Sequence, residues 1–377
     1  MTGAKPITAW DLLPASVWAY ASLVASFHHS LYPFQYRGIG EVGMKQFHNT
    51  SWLADFYQGE EFLGGVLSYF GIPFAPVYVG GDIGLPGLYN IPDVTPVTTL
   101  SVTYKAAGIP VSDTYSGTTL WNLLQTAGGV ETTSAKNDIL NKYVIATGSD
   151  GYTAVYAMGE MDPAFGNQPI TIASSDTAGQ LGPHGADGLS RVVVPGDIAG
   201  GRYVSDLVSL TVDSLPEPGS TGSGGYAASA TLAGAVADPM VITPETLSAL
   251  NQSQKVTATY ISGSGSTTDT YTGVSLWNLI QDAGLLADPS VKNDLLHFGV
   301  VATGSDGYRA LFSLGEIDPQ FGNQQDLVAY ADQKGQLGPG GSDGALRIVV
   351  PGDGAGGRYV SNLTNLQVVD LVHGHVA

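Results

Sequence analysis

A stretch of about 110 residues occurs twice in this chain, 156 positions apart. Residues 101–212 align without a gap on residues 257–368, and more than half of the positions are identical. DTYSGTTLWNLLQTAG (113–128) returns as DTYTGVSLWNLIQDAG (269–284), and ATGSDGY (146–152) returns unchanged at 302–308. FGNQ (165–168), GQLGP (179–183) and VVPGD-x-AGGRYVS (193–205) recur at 321–324, 335–339 and 349–361. Solenoid units repeat every ~20–50 residues, so a period of this length means two copies of one complete domain.

The duplication extends upstream. VGGDIGLPGLYN (79–90) matches LAGAVADPMVIT (232–243) after a three-residue shift that sets Gly81 against Gly234 and Pro86 against Pro239. The expected organisation is an N-terminal region over 1–78, a first repeat over 79–212, a linker over 213–231, and a second repeat over 232–377 ending in a short tail. DSLPEPGSTGSGGYAASAT (213–231) is Pro-rich and then Gly/Ser-rich, a flexible linker by composition.

Within a repeat, TLSVTYKA and KVTATYIS alternate Val or Thr with other residues and read as strands. A short helix follows, with Thr119 or Ser275 as N-cap, LWNLLQTA or LWNLIQDA as its apolar face, and Gly128 or Gly284 as its stop. SAKNDIL and VKNDLL suit a further helical turn. YVIATGS, YTAVYAM, ITIAS, SRVVVPG and YVSDLVSLTV read as short strands joined by Gly, Asp, Asn and Pro turns. The expected fold class is a β-rich α+β domain, built twice.

Charge and cysteine content narrow the function. The net charge of −19 arises because Lys and Arg total only 14 against 33 acids. Such a surface repels nucleic acid and anionic lipid, so neither is an expected partner. The absence of cysteine excludes disulfides, thiolate metal sites and a Cys nucleophile. Low charge with abundant Gly, Ser, Thr and Tyr fits a secreted or cell-surface bacterial protein. No apolar run reaches the ~18–20 residues of a membrane span. WAYASLVASF (18–27) suits a buried amphipathic helix better than a signal segment, because Asp11 and Pro14 interrupt the approach to it.

Residues 1–78 belong to neither copy. They hold Trp10, Trp18 and Trp52 and apolar stretches such as FLGGVLSYFGIPFAPVYVGG (62–81), too apolar for a solvated tail. This region is expected to pack on the repeats or on another copy of the chain.

The order of features in each repeat resembles the molybdopterin-binding domain of sulfite oxidase-like oxidoreductases. It comprises the G-x-V-x-x-P opening (GAVADP, 234–239; GDIGLP, 81–86), the T-A-T strand (257–259), the Y-x-G-x-x-L-W-x-L-L helix, S-D-G-Y, and the close LRIVVPGDGAGGRYVSNL (346–363). The resemblance implies a sulfite oxidase-like fold twice in tandem. In that family a cysteine after the T-A-T strand gives the metal its thiolate. Here Ser262, and Ala106 or a neighbour in the first copy, stand in its place. A hydroxyl does not supply the soft ligand, and Arg191, Arg202, Arg347 and Arg358 are nearly all the basic groups that the copies offer an anionic cofactor. The copies are therefore expected to be degenerate, with no catalytic residue, no metal and no cofactor.

The weak candidates for a remnant pocket are Ser262, Arg202, Arg358, Asp150 and Asp306. The loops PGDIAGGR (195–202) and PGDGAGGR (351–358) either present backbone N–H groups and an arginine to an anion, or form tight turns with Arg202 and Arg358 paired to Asp197 and Asp353. The acidic loops GEMDPAFGNQ (159–168) and GEIDPQFGNQ (315–324) carry Glu160, Asp162 and Asn167, or Glu316, Asp318 and Asn323. They either hold Ca²⁺ or supply turn-forming side chains. The seven histidines do not recur between copies and form no Ser–His–acid or His-x-x-x-His pattern, and Trp121 and Trp277 sit at core spacing. Sequons occur at Asn49, Asn251 and Asn362.

Three functions follow. The leading expectation is a non-catalytic extracellular structural protein that self-assembles into filaments through residues 1–78, so that its partners are copies of itself. The alternative is a ligand-binding module retaining a remnant pterin or oxyanion pocket. The third is an active oxidoreductase-like enzyme.

Overall fold

The computed structural model describes residues 73–182, 185–216, 222–263 and 265–374. The expected assembly region therefore lies almost wholly outside the described residues, as do His28, His29, His48, His184 and His375. The chain is strand-rich α+β. The first repeat supplies strands Pro76–Gly81 (β1), Gly87–Asn90 (β2), Thr98–Ala106 (β3), Ile109–Thr119 (β4) and Lys142–Gly148 (β5). Thr153–Ala157 (β6), Thr171–Asp176 (β7), Gly179–Gln180 (β8), Arg191–Val193 (β9) and Leu207–Ser214 (β10) complete it. The second supplies Ala230–Gly234 (β11), Met240–Ile242 (β12), Gln254–Ser262 (β13), Gly265–Ser275 (β14) and Phe298–Gly304 (β15). Arg309–Ser313 (β16), Leu327–Asp332 (β17), Gly335–Gln336 (β18), Arg347–Val349 (β19) and Leu363–Asp370 (β20) follow.

Each repeat folds into two sheets with the same connections. One runs β2-β1-β10-β5-β6, repeated as β12-β11-β20-β15-β16. Among the strand pairs of the described residues, β1–β10 and β11–β20 are parallel and the others antiparallel. The other runs β3-β4-β7-β8 with β9 on β7, repeated as β13-β14-β17-β18 with β19 on β17. The first strand begins at Pro76 and β10 runs to Ser214, so the ordered unit extends a few residues beyond the sequence match at both ends.

Helix Leu120–Thr126 (α1) begins where Thr119 caps the Asn122 N–H at 3.1 Å. It buries Leu120, Leu123 and Leu124, and the chain turns away at Gly128 with φ +89°. After the single turn Met158–Met161 (α2) and the unduplicated Pro244–Ala249 (α3), Leu276–Asp282 (α4) repeats α1 with Ser275 as cap. Leu314–Ile317 (α5) repeats α2. No helix among the described residues is long and apolar enough to cross a membrane.

Strand β4 escapes the strand reading of the sequence. Its alternation is carried by hydroxyls, which pair with β3 across the exposed face. Thr99 faces Ser116 at 2.7 Å, and Ser101 faces Thr114 and Thr103 faces Ser112 at 2.8 Å. Thr257–Thr270 and Thr259–Thr268 repeat the pattern. The β3–β4 turn, Ala107-Gly108, has φ of +49° and +82°, a two-residue hairpin geometry without its usual Asn-Gly signal.

The linker also departs from its composition. Its described end is bonded to the second repeat, with Gly224 N–H donating to the Ser305 carbonyl (2.9 Å) and Ser305 Oγ to the Gly225 carbonyl (2.6 Å). The lack of side chains that marks it as flexible also lets its backbone lie directly on the 305–307 turn, where a Cβ on Gly222 would meet the Ser305 carbonyl at 2.1 Å.

Candidate functional site

The motifs shared by the two copies meet at the junction between the repeats. Arg202 ends the PGDIAGGR loop, and its Nε and Nη2 clasp the Asp197 carboxylate at 2.8 and 2.6 Å while Nη1 reaches Glu160. Arg358 repeats this with Asp353 and Glu316. Both arginines are at most 1 % exposed, and all four carboxylates are buried. Of the two readings of these loops, the structure supports the ion-paired turn, because the guanidinium forks that would grip an anion already hold a carboxylate bidentately.

Each arginine is bonded to acids of its own repeat but lies against the other one. A Cβ on Gly159 would meet Arg358 Cδ at 2.6 Å, and one on Gly315 would meet Arg202 Cδ at the same distance. The phenyl rings of the acidic loops cross in the same reciprocal way. Phe165 covers Gly357 and Phe321 covers Gly201, leaving 2.3 and 2.4 Å to a Cβ built on either glycine. Leu140 and Phe165 thus join the second repeat's core, and Leu296 and Phe321 join the first's. Backbone bonds follow, from Ala199 N–H to the Gln320 carbonyl (2.9 Å) and from Gly354 N–H to the Phe165 carbonyl (3.0 Å). The junction is a two-fold, self-complementary interface within one chain. Gly201→Ala and Gly357→Ala should each cost about 1–3 kcal/mol through overpacking, read as a lowered denaturant midpoint. A neutral result at both would show that the rings yield.

The other recurring loops belong to the same surface. Asn137 Nδ2 donates to Tyr308 Oη and Asn293 Nδ2 to Tyr152 Oη, both at 2.8 Å. The tyrosines in turn donate to the carbonyls of Gly357 (2.6 Å) and Gly201 (2.7 Å), inside the arginine loops. Lys136 lies over the Tyr308 ring and Lys292 over that of Tyr152, at 5.5 and 5.2 Å from the centroids. A third apolar cluster closes the junction with Tyr143, Val155, Ala157 and Leu215 against Val301, Leu311, Val369 and Leu371.

The remaining sequence candidates do not converge with the arginines into a pocket. Asp150 and Asp306 are exposed, and each accepts the backbone N–H of the tyrosine two residues on, at 2.9 and 3.0 Å. Ser262 sits at the β13–β14 hairpin end, its Oγ donating to the Gly265 carbonyl at 3.2 Å. It neighbours the second arginine loop, because Ile261 N–H bonds the Gly354 carbonyl at 2.9 Å. The calcium reading of the acidic loops fails on geometry: Glu160 turns inward to Arg202 while Asp162 caps the Ala164 N–H at 2.8 Å. Arg191 and Arg347 are also enclosed. Arg191 pairs with Asp187 and lies 5.3–5.9 Å from the rings of Tyr104, Tyr115 and Tyr203. Arg347 pairs with Asp343 at 2.7 Å beside Tyr271 and Tyr359. With all four arginines turned inward and a hairpin serine at the place of the thiolate, the residues present do not fit a molybdopterin cofactor.

Two features of the junction have no sequence signature. His297 bridges the repeats, with Nε2 2.7 Å from Thr153 Oγ1 and Nδ1 3.1 Å from Asp294 Oδ1. Thr153 and His297 are far apart in sequence and the histidine does not recur, so no motif marks the bridge. The second is Asp326, 1 % exposed, where the first repeat has Ile170. Among the described residues neither of its carboxylate oxygens has a hydrogen-bond partner. Burial and the Glu316 charge push its carboxyl well above the usual range. Burial also pushes Glu316 up to about 7 and Asp197 up to about 6, against the opposing pull of their arginines.

No protein-family model matches the chain, and no curated protein matches it. Among solved structures, the sulfane dehydrogenase SoxCD from Paracoccus pantotrophus is similar over 78 % of this chain and 74 % of its own, at 14 % identity and a TM-score of 0.31.

Proposed function

We propose that the chain is a non-catalytic, extracellular structural protein. In this reading two sulfite oxidase-like units have lost metal chemistry and serve as one rigid building block, and residues 1–78 join copies of the chain into filaments. The observation that carries it is the enclosure of Arg202 and Arg358. The most nearly invariant loops of the duplication are spent on holding the repeats together, with their cationic groups sealed behind carboxylates. A catalytic anion pocket needs such groups facing a substrate.

Two measurements test the reading. Elemental analysis of the purified full-length chain should find no stoichiometric molybdenum or tungsten, and denaturation should release no pterin. Either one overturns it. Light scattering and negative-stain images should show head-to-tail assemblies of the full chain and monomers after deletion of 1–72, which leaves β1 whole. A full-length chain that is monomeric at micromolar concentration would remove the assembly part.

A further inference from the structure

Strands β3 and β13 lie at the outer edges of their sheets. β13 is nine residues long and pairs with β14 from Gln254↔Gly273 to Ser262↔Gly265 without a break in register. Its side chains show where its backbone points. The hydroxyls of Thr257 and Thr270 meet at 2.8 Å and those of Thr259 and Thr268 at 2.9 Å, as side chains do in the close pairs that share no backbone hydrogen bond. The N–H and C=O groups of Lys255, Thr257 and Thr259 therefore point away from β14. Ile261, next in this alternation, has the same direction, because its N–H leaves the hairpin for the Gly354 carbonyl at 2.9 Å. Among the described residues, no other strand or backbone bond meets that side of β13 from Lys255 to Thr259.

Such an edge is a template for a further strand, and proteins blunt their edges with bulges, proline or charge. β13 has neither a bulge nor a proline, and Lys255 is its one charge. Where β3 carries Lys105, β13 carries Ile261, which is 64 % exposed. The charge around the strand is also unusual for this chain. Copies with a net charge of −19 repel one another, yet residues 246–268 contain no acid.

We propose that β13 pairs edge to edge, antiparallel, with β13 of a second copy of the chain. An antiparallel edge is its own complement under a two-fold axis. With Thr257 opposite Thr257, Lys255 of each copy faces Thr259 of the other, and each outward N–H meets an outward C=O. The two lysines then lie at opposite ends of the contact. A few paired residues bury less than the roughly 1,200 Å² of a stable interface, so one such contact does not hold two chains together at micromolar concentration. Repeated along a filament it joins neighbouring filaments by avidity. That last step rests on the filament reading, whereas the pairing itself does not use residues 1–78.

Because the chain has no cysteine, one introduced thiol reports the contact. Full-length Thr257→Cys, mildly oxidised at high protein concentration, should form disulfide-linked dimers about tenfold or more faster than Thr268→Cys. Thr268 is also exposed but lies one strand in from the edge. Opposed residues of this kind are about 5.5 Å apart at Cα, within disulfide reach. Added to Thr257→Cys, Thr259→Lys sets like charges against Lys255 of the second copy and should slow trapping severalfold. Thr259→Glu sets opposite charges there and should not slow it. Urea midpoints close to that of the parent show that each variant is folded. Equal rates at the two cysteine positions, or a rate indifferent to Thr259→Lys, overturn the pairing. Trapping that appears only after deletion of residues 1–72 overturns it too, because that region then covers the edge. Negative-stain images keep the two readings apart: a chain that forms filaments but does not trap at position 257 loses this contact alone.

Discussion

Replacing Arg358 with methionine is expected to remove about 3–5 kcal/mol of folding stability at neutral pH, the range for breaking a buried charge cluster from one side. Methionine keeps an apolar stem against Gly159 but leaves Asp353 and Glu316 facing each other without a cation. Arg202→Met should cost a similar amount through Asp197 and Glu160. Arg358→Ala should cost more than Arg358→Met, because it also empties the space over Gly159. The loss should shrink on acidification to about pH 5. Burial already raises the carboxyls of Asp353 and Glu316, and without the guanidinium they take up protons more readily. Urea unfolding followed by tryptophan fluorescence reads all of this. A loss below about 1 kcal/mol at pH 7 would mean that the clamp behaves as a surface pair and does not hold the junction.

How far the sequence discloses this arrangement depends on the kind of residue. The caps at Thr119 and Ser275, the buried α1 and α4 faces and most strands follow from local periodicity and recur in both copies. Strand β4 does not, because Ser and Thr carry its alternation and Ala107 occupies a left-handed turn position that normally signals itself with Asn or Gly. The junction is half legible. The recurrence of PGD-x-AGGR, GE-x-DP-x-FGNQ and KND in both copies is what a two-fold interface requires, since each motif must be present twice to serve both sides. Their chemistry misleads, however. Glycines, an arginine and acids in one loop suggest an anion or Ca²⁺ site when read within a single repeat. Only the crossing of Phe165 over Gly357 and Phe321 over Gly201 shows what the glycines are for. His297 and Asp326 are illegible for the opposite reason: they break the duplication, and their consequences depend on neighbours remote in sequence.

Asp326 supports the second large effect, because the chain contains its own control. Ile170 occupies the same place in the first repeat, buried to the same degree, and its carbonyl accepts from Leu120 N–H at 2.7 Å as that of Asp326 does from Leu276 N–H at 2.9 Å. Asp326→Ile is therefore expected to fit, and to stabilise the protein by about 1–4 kcal/mol at pH 8, the gain seen when buried charge gives way to apolar packing. The sign with pH follows from the raised carboxyls. Asp326, Glu316 and Asp197 hold protons in the folded chain that they release when unfolded above about pH 4. Their contribution is complete below that value and is lost as pH rises through about 6 for Asp197 and about 7 for Glu316, and Asp326, raised by burial and the Glu316 charge, acts in the same direction. Three carboxyls are held low instead, Asp113 in strand β4 by its Thr177 hydrogen bond and the exposed Glu245 and Asp288 by local hydrogen bonds, and their contribution is lost only on acidification below the usual carboxylate range. Wild-type stability should thus fall between pH 5 and pH 8, and Asp326→Ile should flatten that fall. Asp326→Asn should flatten it too, with less gain in stability, because an unpartnered amide remains buried. Urea midpoints for the three chains at pH 5 and pH 8 decide the matter: a wild type that gains stability toward pH 8, or an isoleucine variant less stable than wild type there, would show that Asp326 is ionised and compensated in the folded protein.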